Sequence, residues 1–116
     1  MEFTDKQAIY LQIADHVCEH ILMKKWLPSD RIPSTRELGS KLEVNPNTVM
    51  RAYEFLKNQE IIHDQRGIGF FISDQAPEKV LAYRKAQFLE QELPQFLKTL
   101  ALLGMNLDDI KTLQTC

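Results

Sequence analysis

The chain has 116 residues, 44% of them hydrophobic and 26% charged, and a formal net charge of −2. That balance describes an ordinary globular chain of one domain plus an appendage, and no run reaches the roughly 18 apolar residues of a membrane-spanning helix. An acidic total excludes an indiscriminate polycation, yet residues 24–72 hold eight Lys and Arg against six Asp and Glu, while the stretches on either side are net negative.

The opening residues, MEFTDKQAIY, lack a basic region followed by an apolar run, which predicts a cytoplasmic protein. Cys18 and Cys116 form neither a disulfide framework nor a CxxC metal box, and both are expected to be reduced.

Ile9, Ile13, Val17 and Ile21 recur four residues apart, with Ala14 and Leu22 beside them, and predict a helix over 7–24 with one apolar face. His16 and His20 sit a turn apart in HVCEH, but two histidines are half a site and no third ligand accompanies them, so no metal is expected. The helix ends at WLPSD, and Ile32-Pro33 forms a short extended link. Ser34-Thr35-Arg36-Glu37 then has the form of a capping box, which starts a helix containing Leu38 and Leu42.

After Glu43-Val44, Asn45 can cap a second helix with Pro46 at its first position, where a missing amide costs nothing. Val49, Ala52, Tyr53 and Leu56 follow at i, i+3, i+4 and i+7 and form its buried stripe, so Asn47, Thr48 and Arg51 point outward. Two short helices joined by so tight a turn have helix-turn-helix spacing.

Ile61-Ile62-His63, a polar loop from Asp64 to Gly69, and Phe70-Phe71-Ile72 read as a β-hairpin, a wing on the preceding helices. DQAPEK, at 74–79, reads as a hinge into a helical tail whose Val80, Leu81, Phe88, Leu89, Leu93, Phe96, Leu97, Leu100 and Leu103 are more apolar surface than one isolated helix hides. Pro94 is expected to kink or break that helix, Gly104 to end it, and Asn106 to begin a last one carrying Leu107, Ile110 and Leu113.

The fold class is therefore mainly α with a small β-hairpin: a winged helix-turn-helix domain over 1–74 and a helical tail over 75–116. A tail this short is poorly stable alone, and packing against a second copy cures that. A homodimer is expected, with Leu81, Phe88, Leu89, Phe96, Leu97, Leu100, Leu103 and Ile110 in the interface.

The segment LPSDRIPSTRELGSKLEVNPNTVMRAYEFLKNQEIIHDQRGIGFFI, preceded by AIYLQIADHVCEHI, resembles the DNA-binding domain of GntR-family bacterial transcription regulators in the order and spacing of its parts over 8–73. The tail with GMNLDDI resembles the YtrA-type branch, whose members end in a small helical dimerisation region instead of a large effector-binding domain. The resemblance implies that Arg36 reaches DNA from the start of its helix, that Ser34 and Thr35 donate to phosphate, and that Arg66, with Gly67 and Gly69, enters the minor groove. The chain departs from the family pattern at Ser29, Glu43 and Gln59-Glu60, where the family commonly has glycine. A residue standing in for such a glycine is expected to be forced to positive φ or to alter the turn.

The chemistry agrees with the resemblance. Asn45, Asn47 and Thr48 occupy a helix N-terminus, where free amides and the dipole favour phosphate and where a recognition helix meets base edges. Asn can pair with adenine, Arg with guanine, and the Thr methyl with the thymine methyl. Arg51, a turn beyond Asn47, can reach a base or a phosphate. Taken singly, each exposed arginine is an ordinary solvated side chain, and it is their coincidence at matching positions that carries the reading. Arg31 is expected to hold its loop by an ion pair with Asp30. Lys41 and Lys57 are read as solvated, with generic phosphate contact as the alternative, and His63 as structural or near phosphate rather than catalytic.

No nucleophile with a base, phosphate-cradling glycine loop or paired carboxylates is evident, so neither an enzyme nor a cofactor is expected. The expected function is sequence-specific binding of a palindromic double-stranded DNA operator by a homodimeric repressor, and no polar cluster names an effector ligand. The rival is a winged-helix adaptor that binds protein instead of DNA. The acidic total fits it, but it has no need of Arg36, Asn47, Thr48, Arg51 and Arg66 where they stand.

Overall fold

The computed structural model describes residues 2–4 and 7–114, so Cys116 lies outside the described residues. The elements are α1 (Ile9–Leu22), α2 (Thr35–Leu42), α3 (Pro46–Asn58), β1 (Ile62–Gln65), β2 (Gly69–Ile72), α4 (Ala76–Gln87), a π turn (Phe88–Glu92), α5 (Leu93–Leu102) and α6 (Leu107–Gln114). They fall into two compact units, Met1–Leu81 and Ala82–Cys116.

In the first unit α3 packs against α1, α2 and β1. Its predicted stripe, Val49, Ala52, Tyr53 and Leu56, is fully buried, together with Ile13, Ala14, Val17 and Cys18 of α1. Each such aliphatic side chain stabilises the fold by about 1.5–3 kcal/mol. Ile9 and Leu22, read as part of the apolar face of α1, stand at its two ends and are 44% and 40% exposed. Cys18, in the same helix, is buried.

Between α2 and α3 the chain reverses in three residues. Val44 N–H donates to the Gly39 carbonyl (2.8 Å) and Glu43 N–H to that of Ser40 (3.3 Å), a Schellman closure with Glu43 in the left-handed region at φ 59°. Gly39 permits this: a Cβ there would lie 2.8 Å from the Val44 carbonyl oxygen and 3.4 Å from the Pro46 Cα.

The hairpin is antiparallel, pairing Ile62 with Ile72, His63 with Phe71, Asp64 with Phe70 and Gln65 with Gly69. The link before α2 is itself paired to β2, because Ile32 N–H donates to the Phe70 carbonyl (3.0 Å) and Ile72 N–H to that of Asp30 (2.9 Å). Tyr53 fastens α3 to both: its hydroxyl donates to the Pro33 carbonyl at 2.6 Å and its ring meets the edge of Phe70 at 4.9 Å. Burial pushes the Tyr53 hydroxyl well above the usual phenol range. Lys57 also ties α3 to the wing, 3.2 Å from the Asp64 carboxylate, instead of being merely solvated.

Pro94 is expected to kink or break the tail helix; α4 runs through a π turn into α5, so the helix is distorted there and not broken. Proline lacks an amide and its ring collides with the carbonyl four residues back, here Glu90; the widened turn over Phe88–Glu92 takes up that misfit. Gly104, at φ 68°, ends α5, and Met105 N–H donates to the Leu100 carbonyl at 2.9 Å. Asn106 and Asp109 then cap α6 reciprocally: Asp109 N–H donates to Asn106 Oδ1 (3.0 Å) and Asn106 N–H to Asp109 Oδ2 (2.9 Å).

Candidate nucleic-acid interface

Each part of the candidate surface is held by local chemistry. At the start of α2, Glu37 N–H donates to Ser34 Oγ and Ser34 N–H to Glu37 Oε1, both at 3.1 Å. The bond from the Ser34 backbone N–H, and then the Ser34 hydroxyl, hold the Glu37 carboxyl below the usual carboxylate range. Thr35 is half-buried beside Ser34, and Arg36 is exposed.

At the start of α3 the Asn45 Oδ1 accepts from Asn47 N–H at 2.8 Å, which leaves the Asn45 amide nitrogen available as a donor. Asn47 and Arg51 are exposed and Thr48 is half-buried, all off the buried stripe. The Arg51 guanidinium lies over the Tyr10 ring of α1, 4.3 Å from its centroid.

Between α2 and the wing runs a groove of about 370 Å³ lined by Arg31, Ser34, Thr35, Arg66, Gly67 and Gly69, among others. The structure thus gathers Ser34, Thr35, Arg66, Gly67 and Gly69 around one groove. Asn45, Asn47, Thr48 and Arg51 form a second group on α3, and Arg36 lines neither the groove nor that helix.

Arg31 departs from its expected role. The Asp30 carboxylate accepts from Leu27 N–H at 2.8 Å, whereas the Arg31 side chain lies along the wing, so near that a Cβ on Gly69 would be 2.9 Å from Arg31 Nε. A signal existed in the sequence: Arg31 precedes buried Ile32 in an extended segment, and alternation points the two to opposite faces. The Arg51–Tyr10 contact had no such signal, since it joins elements far apart in the chain.

The two histidines of α1 lie against each other with their rings tilted by 56°. The His16 and His20 rings are 4.3 Å apart, His20 Nδ1 is 2.9 Å from the His16 carbonyl oxygen, and His20 also meets Trp26 at 4.6 Å. Burial, and then the nearby His20, push the His16 pKa down. His63 stacks on Phe71 with ring centroids 5.9 Å apart. Among the described residues no group of three or more His, Cys, Asp or Glu is placed to hold a metal, and no helix is long and apolar enough to cross a membrane.

Three packed helices, the second and third joined by a tight turn, with a hairpin packed against the third, define a winged helix-turn-helix protein. Comparison with known proteins agrees. Residues 9–72 match the family described as bacterial regulatory proteins, gntR family. The chain is 35% identical to the uncharacterized HTH-type transcriptional regulator YhcF of Bacillus subtilis, over 96% of this chain and 93% of that one. It is 34% identical to the HTH-type transcriptional repressor YtrA of the same organism, over 88% and 78%. A GntR family transcriptional regulator from Listeria monocytogenes superposes with a TM-score of 0.80 at 32% identity, over 97% of both chains. The DNA-binding domain of AraR, solved in complex with operator ORX1, matches 62% of this chain and 93% of its own at 25% identity and a TM-score of 0.56.

The chain belongs to the GntR family. It is a transcription regulator with a helix-turn-helix DNA-binding domain, and not an enzyme.

Proposed function

We propose that the chain represses transcription in the cytoplasm by binding, as a homodimer, a palindromic operator. Residues 1–74 read the DNA and residues 75–116 join the two copies. The observation that carries this reading is the outward polar turn of α3, with Asn47, Thr48 and Arg51 standing off a fully buried stripe. That turn is what a recognition helix lays in a major groove. The groove between α2 and the wing, with Arg31, Ser34, Thr35 and Arg66, then receives the neighbouring backbone. Repression follows the named role of the relative YtrA.

Dimerisation is supported by the tail. Leu81, Phe88, Leu89, Phe96, Leu97 and Leu103 are exposed in the single chain, as are Leu102, Leu107 and Leu113, while Leu100 is buried within its own chain and Ile110 is half-buried. A second copy covers this surface, including the apolar groove of about 440 Å³ lined by Leu97, Leu100, Ala101, Met105 and Leu107.

The test is selection of bound duplexes from a random pool, followed by titration of the enriched sequence at several salt concentrations. An inverted repeat is expected, with affinity falling steeply as salt rises through counterion release. Arg36→Ala is expected to weaken binding by about 1–3 kcal/mol without loss of fold. A folded protein that enriches no sequence would overturn the reading in favour of a protein-binding adaptor.

A further inference from the structure

The Arg51 guanidinium lies 4.3 Å above the Tyr10 ring, and we infer from this contact that Tyr10 is a positioning residue for operator recognition, holding Arg51 ready for DNA. The inference rests on the operator-binding reading and assigns a role within it to a residue outside the helix-turn-helix and the wing.

Arg51 has four rotatable bonds and stands exposed on α3. Left to solvent, it would lose most of its rotamer freedom on meeting a base or phosphate, an entropic cost that is large for so long a side chain. An aromatic face beneath the guanidinium removes part of that freedom before DNA arrives, and a ring face offers no carboxylate or carbonyl oxygen to take up the N–H donors that a base or phosphate needs. A carboxylate partner would instead compete with the DNA for those same donors. The contact with the ring therefore restrains the arginine without tying it to a charged partner.

Tyr10 is itself a fixed platform. It is the second residue of α1, a helix whose N-cap, Ala8, makes no side-chain cap. The opening is secured by Gln12, whose amide nitrogen donates to the Thr4 carbonyl at 2.8 Å and the Gln7 carbonyl at 2.7 Å, and whose Oε1 accepts from Thr4 N–H at 3.0 Å. Below, Ile13, Ala14 and Val17 anchor α1 in the core. The ring is thus carried on a braced helix end beside α3, and only its face is needed.

The experiment measures binding of the full chain to its selected operator duplex, by fluorescence anisotropy, for wild type, Tyr10→Phe, Tyr10→Leu, Arg51→Ala and Tyr10→Leu/Arg51→Ala. Thermal melting of each variant checks the fold. Tyr10→Leu is expected to weaken binding about three- to fivefold, the scale of an exposed cation–π contact, while Tyr10→Phe stays near wild type because the ring is kept. In the Arg51→Ala background, Tyr10→Leu is expected to have no further effect. Equal losses from Tyr10→Leu in both backgrounds would overturn the inference, since Tyr10 would then act independently of Arg51. A loss in Tyr10→Phe as large as in Tyr10→Leu would also overturn it, by showing that the hydroxyl matters and the ring does not. Tight, unchanged binding by Tyr10→Leu sinks the inference and leaves operator binding intact; failure of wild type to bind any duplex sinks both.

Discussion

Four helices end in the same Schellman geometry with different residues in the left-handed position: Lys24 at φ 59°, Glu43 at φ 59°, Glu60 at φ 62° and Gly104 at φ 68°. In each, the following amide reaches back five residues, Lys25 to His20, Val44 to Gly39, Ile61 to Leu56 and Met105 to Leu100. Glycine adopts this conformation freely, whereas a residue with a Cβ meets its own carbonyl there at a cost of about 1–2 kcal/mol. Ser29, at φ 73°, is a further case in a loop. Ser29, Glu43 and Glu60 are three positions where the sequence departs from the glycine common in the family, and each does take positive φ. Glu43→Gly and Glu60→Gly are therefore expected to stabilise the fold by roughly 0.5–1 kcal/mol each, the relief of strain being partly offset by the greater freedom of glycine in the unfolded chain. Chemical denaturation should show higher midpoints, additive in the double variant because the two sites are separate; a lower midpoint for either would contradict the strain.

At the scale of elements, the geometry of the helix-turn-helix hangs on Gly39. Its absent Cβ leaves room for the Val44 carbonyl, and the atom in the way is backbone, which cannot swing aside. Gly39→Ala removes the poor helix propensity of glycine but is expected to destabilise by about 1–3 kcal/mol, with α3 shifted and operator affinity lowered. A stabilised Gly39→Ala protein would show the turn to be looser than described. Most of this architecture was legible beforehand because its determinants are local. The capping box at Ser34, the Asn45 cap, the Val49–Ala52–Tyr53–Leu56 stripe and the hairpin residues each lie within a few positions of what they control. What was not legible depends on partners distant in sequence or on cooperative adjustment. The sequence pairs Arg31 with its neighbour Asp30, because the place of Arg31 beside Gly69 exists only once the link pairs with β2. For Pro94 the sequence offers a kink or a break, because a proline's cost is readable from it, while the π turn that absorbs that cost is not.

At the scale of the whole molecule, large apolar side chains stay in solvent in the tail while the core of the first unit is closed. Phe88, Phe96 and Leu97 are 45%, 42% and 44% exposed, a surface unlike that of an ordinary monomer. Replacing Phe96 and Leu97 together by Asp is expected to halve the mass measured by light scattering at micromolar concentration. The same variant should lose the affinity gained from occupying both halves of an inverted repeat, while its single-copy fold, followed by circular dichroism, persists. A wild-type protein that is already monomeric would remove the tail from the account of DNA recognition.

The two strained glutamates have a further meaning in the genetic code. Glutamate and glycine codons differ in their middle base alone, so at Glu43 and Glu60 a more relaxed helix end lies a single mutation away. Natural chains are held above a threshold of stability and not at its maximum, and easily reached improvements are left standing wherever function is already safe. These two positions are where a laboratory population selected at elevated temperature should first change.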